Sequence, residues 1–119
     1  MGFVEGARLF NTGKYWEAHE AWEDVWRGQK GGARIYVQAF LQMAAAYSFV
    51  RLAKLQGSRY LFEKALEKFE RFRSVDVGLP LDSLVDGMGG MLAQLDSIPA
   101  NGRYLLTPSQ VPNLDLPGL

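Results

Sequence analysis

Cysteine is absent from the 119 residues, so no disulfide, zinc–thiolate site or thiol nucleophile can be built. A reducing cytoplasm suits such a chain. Histidine occurs once, at position 19, so any metal site would depend on carboxylates for its other ligands. A secretory leader is not expected, because no charged segment precedes an apolar run and a small-residue cleavage site at the N-terminus. Myristoylation is excluded as well, since Gly6 stands where Ser or Thr is required. No membrane span is expected: the most apolar run, Ile35 to Leu52, is broken by Gln38, Gln42, Ser48 and Arg51. Nothing in the sequence calls for a cofactor.

Net charge is missing too, with 13 basic residues balanced by 13 acidic ones. The balance is uneven along the chain. Between Arg27 and Arg73 ten Lys and Arg face three acidic residues, a local excess of seven positive charges. Weak nucleic-acid binding through Arg51, Lys54, Arg59, Lys64, Lys68 and Arg71 follows as a third-ranked reading, because dispersed helical cations more often form a solvated face.

What is present is helical material. At 48% hydrophobic and 22% charged, the chain is long enough for one domain with a real core. Phe3, Val4, Ala7 and Phe10 recur at helical spacing, and Asn11-Thr12-Gly13 stops that helix. Tyr15 to Arg27 predicts a second helix, ended by Gly28 with Gly31-Gly32. Ala33 to Leu55 predicts a long central helix closed by Gly57, with Ser58 capping a fourth from Arg59 to Arg73. In that fourth helix Tyr60 or Leu61, Ala65, Leu66, Phe69 and Phe72 read as the apolar stripe.

A connector at Val77 to Leu81, with Pro80 before a cap at Asp82 or Ser83, leads to a fifth helix. Its apolar positions are Leu81, Leu84, Val85, Met88, Leu92 and Leu95, and Gly87, Gly89 and Gly90 weaken it. The expected architecture is an all-α bundle of about five helices over residues 1–98. An extended tail with Pro108, Pro112 and Pro117 covers 99–119, its Val111, Leu114, Leu116 and Leu119 lying along the body or gripping a second copy as a homo-oligomer.

The chemistry concentrates between Tyr15 and Arg27, which hold the histidine, all three tryptophans and four carboxylates. On a helical wheel His19 falls within the apolar face and Glu23, one turn later, on its margin. Gln38 and Gln42, also four apart, interrupt the next helix and can face that pair. A His–Glu pair opposite a Gln–Gln pair would satisfy buried donors and acceptors and fix helix register. Three other uses compete with this structural core. One is a recognition pocket lined by Trp and Tyr, with Tyr15 and Trp26 contributing. Another is a metal site from His19, Glu20 and Glu23. The last is acid–base catalysis by His19 and Glu23, which lacks an accompanying nucleophile or phosphate loop. Di-metal bundles place Glu three residues before His, and here Trp16 occupies that position. The leading expectation is a non-catalytic interaction or small-ligand-binding module.

The block Phe10-Asn11-x-Gly13-x-Tyr15-x-Glu17-Ala18-His19-Glu20-x-x-Glu23-x-x-Trp26-Arg27 resembles the family described as domain of unknown function 309. The resemblance continues through Arg34 and Gln38-x-x-x-Gln42-x-Ala44-Ala45-Ala46 and spans about residues 3–75. It implies a small all-helical domain found in bacteria and archaea, without an established activity. It marks His19, Glu20, Glu23, Trp26, Gln38 and Gln42 as matching positions. Ala39 replaces a glycine frequent in the family, and the stretch Tyr47-Ser48-Phe49 carries none of the histidines common there. These departures weaken any reading that adds a second imidazole to the site.

Overall fold

A computed structural model describes residues 2–73, 81–99, 102–116 and 118–119. Five helices follow one another: α1 (Gly2–Asn11), α2 (Tyr15–Arg27), α3 (Gly31–Arg51), α4 (Leu55–Phe72) and α5 (Leu81–Asp96). A single 3₁₀ turn at Pro108–Gln110 interrupts the tail, and no strand occurs among the described residues. The all-α bundle expected from apolar spacing is therefore the fold.

Helix α3 is the axle. Eleven of its residues are buried, from Val37 to Val50, and it packs against both α2 and α4. Around it Phe10, Trp22, Phe40, Tyr47, Phe62 and Phe69 form the aromatic centre, each almost fully enclosed. Phe40 meets Phe69 edge-on at 5.0 Å and Tyr47 meets Phe62 at 4.8 Å, so α3 and α4 interlock through perpendicular rings.

Close approach of α1 to α2 depends on glycine. A β-carbon at Gly6 would run into the indole of Trp22, and one at Gly2 would come within 2.6 Å of Val25 Cγ2. Trp22 completes the contact by donating its Nε1–H to the Phe3 carbonyl at 3.0 Å.

The boundary between α3 and α4 differs from expectation. Helix α3 stops at Arg51, not near Leu55, and the stop is Ala53, held at φ +61°. The Lys54 N–H reaches back to the Phe49 carbonyl at 2.8 Å and the Ala53 N–H to Val50 at 3.0 Å. This is a Schellman turn with alanine where glycine is usual. Gly57, expected to end α3, lies inside α4, where a β-carbon would sit 2.9 Å from the Phe49 ring. Ser58, expected as a cap, is buried and donates to the Ala46 carbonyl at 3.1 Å.

Because α4 begins at Leu55, its buried stripe runs Leu55, Ser58, Phe62, Ala65 and Phe69. Tyr60 is exposed, and Phe62 takes the central place. In α5 the buried positions are Leu81, Leu84, Met88, Met91 and Leu95. A β-carbon at Gly87 would sit 3.4 Å from Pro112 of the tail, whereas one at Gly89 or Gly90 would meet open space. Of the connector expected at Val77 to Leu81, Leu81 opens α5 and residues 77–80 lie outside the described residues, as does the tail's Pro117.

The tail lies along the body. Leu114 is buried in the core. Asn11 grips its backbone twice, donating from Nδ2 to the Leu114 carbonyl and accepting its N–H at Oδ1, both at 2.7 Å. Arg8 donates to the Gly118 carbonyl at 3.2 Å.

Candidate functional site

Helices α2 and α3 are joined by a short link and run antiparallel, so the two turns of α2 from Trp16 to Glu23 face the middle of α3. That register carries His19 to Leu41. The imidazole Nδ1 lies 2.9 Å from the Leu41 carbonyl, and an oxygen acceptor there requires Nδ1 to carry the proton. In the neutral ring Nε2 then holds a lone pair. It lies 3.9 Å from Glu23 Oε2, two acceptors facing each other until the ring is protonated.

One ring face of His19 is covered. Trp16, one turn earlier, stacks on it at 4.6 Å with planes 21° apart, and the Phe49 ring of α3 lies 6.5 Å from Trp16, nearly parallel to it. The position where a di-metal bundle would carry glutamate thus holds the indole that packs against the imidazole. Trp16 itself is 45% exposed. The result is an aromatic stack at the surface with the histidine as its inner layer.

Glu23 is less enclosed than its wheel position suggests. Its side chain is 38% exposed and takes a hydrogen bond from Arg27 Nη2 at 3.0 Å, while Arg27 Nη1 holds Asp24 at 2.7 Å. Glu20 is exposed. Among the described residues no three His, Asp or Glu side chains gather as a ligand set. The metal arrangement of His19, Glu20 and Glu23 therefore does not converge in this geometry.

The glutamines behave differently from the expected closing pair. No hydrogen bond joins Gln38 or Gln42 to His19 or Glu23 among the described residues, and Gln42 Oε1 is buried without a partner. A backbone carbonyl, invisible in a residue pattern, has taken the place assigned to them. Trp26 sits further along α2 beneath Arg34, whose guanidinium carbon lies 3.7 Å from the ring centre. Its Nε1 is also buried and unpartnered. Tyr15 stands apart from His19, at the start of α2, packed on Phe10 at 5.2 Å and Tyr47 at 5.9 Å. Arg51 lies over its ring at 4.5 Å.

Three contributors escaped the sequence reading: the Leu41 carbonyl, the Trp16–Phe49 stack and the Arg34–Trp26 contact. Only the last left a trace, since Arg34 belongs to the resembling block.

Part of the basic middle segment is engaged within the fold. Arg59 bonds the Leu95 carbonyl and pairs with Asp96 at 3.3 Å. Lys64 lies 3.8 Å from Glu67. Arg73 binds Glu70 and Asp82, each at 2.8 Å. Burial lowers the pKa of Lys68, with Glu67 opposing that shift. No helix among the described residues is long and apolar enough to cross a membrane.

No curated protein matches the chain. Residues 3–61, covering α1 to α3 and the first part of α4, match the model of the family described as Domain of unknown function (DUF309). His19, Trp26, Arg34, Gln38 and Gln42 all fall inside this segment, whereas α5 and the tail lie beyond it. Through the three-helix unit that holds the His19 cluster, the chain belongs to the domain of unknown function 309 family.

Proposed function

We propose that the protein is a non-catalytic helical interaction module. In this reading His19 fixes the register of α2 on α3, and the Trp16 face meets a partner. One observation carries it: Trp16 is 45% exposed yet stacked on His19 and nearly parallel to the Phe49 ring. A large aromatic already ordered before binding loses little rotamer freedom on association, a property of interface hot spots. The rows beside it carry Glu20 and Glu17, which suit the polar rim of such a patch. Cytoplasmic residence belongs to the same proposal, as a chain without thiols gains nothing from an oxidising compartment.

A metal or acid–base centre on His19 and Glu23 is the second reading. The second ring nitrogen favours it, because Nε2 keeps a lone pair when Nδ1–H is held by the Leu41 carbonyl. Against it, the neighbouring carboxylate lies on the Nε2 side and is engaged by Arg27. In a histidine tuned as a base, the orienting group holds the other nitrogen, and here that group is a neutral carbonyl.

The two readings separate with a photo-crosslinking residue placed at Trp16 and, as a control, at the exposed Glu63 of α4. A discrete adduct from position 16 alone, to another protein or to a second copy, is expected. Equal labelling from both positions, or none from 16, sinks the interaction module. Stoichiometric zinc or manganese that disappears in His19→Ala would transfer the assignment to the metal reading.

A further inference from the structure

Phe10-Asn11-x-Gly13-x-Tyr15 opens the family block but takes no part in the His19 cluster. These residues lie at the α1–α2 turn, where the end of α3 and the tail close over them. A cavity of about 300 Å³ remains there, walled by Phe10, Tyr15, Arg51, Val111, Pro112 and Asn113 among others. That volume is at the lower end of small-molecule sites, about 300–1,000 Å³. We propose that the cavity binds a small organic carboxylate, with Arg51 and the Tyr15 hydroxyl taking the anionic head and Phe10, Val111 and Pro112 the apolar body. The inference is independent of the Trp16 interaction surface.

Sorting the polar groups of the wall gives the ligand its sign. Two are already used in the fold: Thr12 donates to the Arg8 and Leu9 carbonyls, and Asn11 holds Leu114. Arg51 is only partly used. Its Nη1–H binds the Gly13 carbonyl at 2.6 Å, and its plane is steadied over Tyr15 at 4.5 Å. The guanidinium has further N–H donors in its fork, and no carboxylate pairs with it among the described residues. An oriented arginine without a counter-ion, at the edge of a cavity, is the arrangement that carboxylates bind in bidentate fashion.

The Tyr15 hydroxyl also has no protein partner among the described residues. Burial raises its pKa against the opposing effect of Arg51, so it remains an O–H donor. Helix α2 starts at Lys14 without a side-chain cap, and its first N–H groups add positive potential at the same place. Asn113, the remaining polar side chain of the wall, can donate or accept, so Arg51, the one charged residue of the wall, sets the sign and selects an anion. The aromatic, valine and proline walls then favour an organic body over a hydrated inorganic ion.

An NMR titration of the full chain tests this, following backbone amides with hexanoate as the probe and hexanamide and inorganic phosphate as controls. Hexanoate should give saturable shifts at Gly13, Tyr15 and Val111. Hexanamide and phosphate should bind about tenfold or more weakly, and Arg51→Gln should weaken hexanoate by a similar factor. Val111→Trp, which fills the apolar wall and leaves Arg51 in place, should abolish binding and decides the matter if Arg51→Gln fails to fold. Absence of saturable hexanoate binding overturns the proposal, as does equal affinity for hexanamide. Phosphate binding as tight as hexanoate, or full affinity in Arg51→Gln, overturns it equally.

Discussion

At the residue scale, the Tyr47 hydroxyl shows how little room the aromatic centre leaves for polarity. It is buried among Phe10, Tyr15 and Phe62 and has no hydrogen-bond partner. Desolvation, with a smaller contribution from Tyr15, raises its pKa, and desolvation alone pushes Tyr36 up to about 12. Both shifts favour the protonated form in the folded state. Their stabilisation is complete below pH 10, where the unfolded chain also keeps its phenols neutral. It is lost as pH rises from 10 towards and beyond 12, because the unfolded chain ionises first. Tyr47→Phe should therefore raise stability at pH 7 by about 1–2 kcal/mol, by removing an unsatisfied buried group. It should also lose less stability between pH 10 and 12 than the wild type. Urea denaturation at pH 7 and pH 11 measures both, and destabilisation at pH 7 would mean the hydroxyl has a partner in solution. The inward position of His19 was readable from the wheel because apolar neighbours surround it. The identity of its partner was not, since a carbonyl belongs to every residue and marks none.

At the element scale, helix existence was legible and the α3–α4 boundary was not. Gly57 attracted the break because glycine is the usual left-handed residue after a helix, but here it gives space to the Phe49 ring. The actual turn residue, Ala53, carries no sequence signal for φ +61°. The expected α4 stripe shared Ala65 and Phe69 with the buried row, and Leu61, Leu66 and Phe72 pack at its margin, but it omitted Leu55, Ser58 and Phe62. Ala53 pays for the left-handed conformation with about 1–2 kcal/mol of backbone strain. Ala53→Gly should recover most of this, offset by the greater freedom of glycine in the unfolded chain, for a net gain of about 0.5–1 kcal/mol. Thermal unfolding checks it. A lowered melting temperature would show that the turn is held by the hydrogen bonds of Lys54 and Ala53 without strain.

At the scale of the whole molecule, the tail decides how much protein there is to fold. The radius of gyration, 13.5 Å, equals the value of about 13.5 Å expected for a compact chain of this length. Residues 102–116 are therefore drawn onto the helices. The sequence left two destinations open for the tail's leucines, along the body or against a second copy, and Asn11 holds Leu114 on the body. The amide of Asn11 copies the paired N–H and C=O of a backbone, so it recognises an extended segment whatever its side chains, and the core then selects leucine. Leu114→Ala should cost about 2–4 kcal/mol, as for other fully buried leucines. Asn11→Ala leaves both Leu114 backbone groups without their partner and should cost about 1–3 kcal/mol. Because the two residues serve one attachment, their costs should not add: once either has released the tail, the second substitution has little left to remove. A double-mutant cycle by urea denaturation measures the coupling. Full additivity would mean that Leu114 stays seated without Asn11, and that the helices, not the clamp, hold the tail in place.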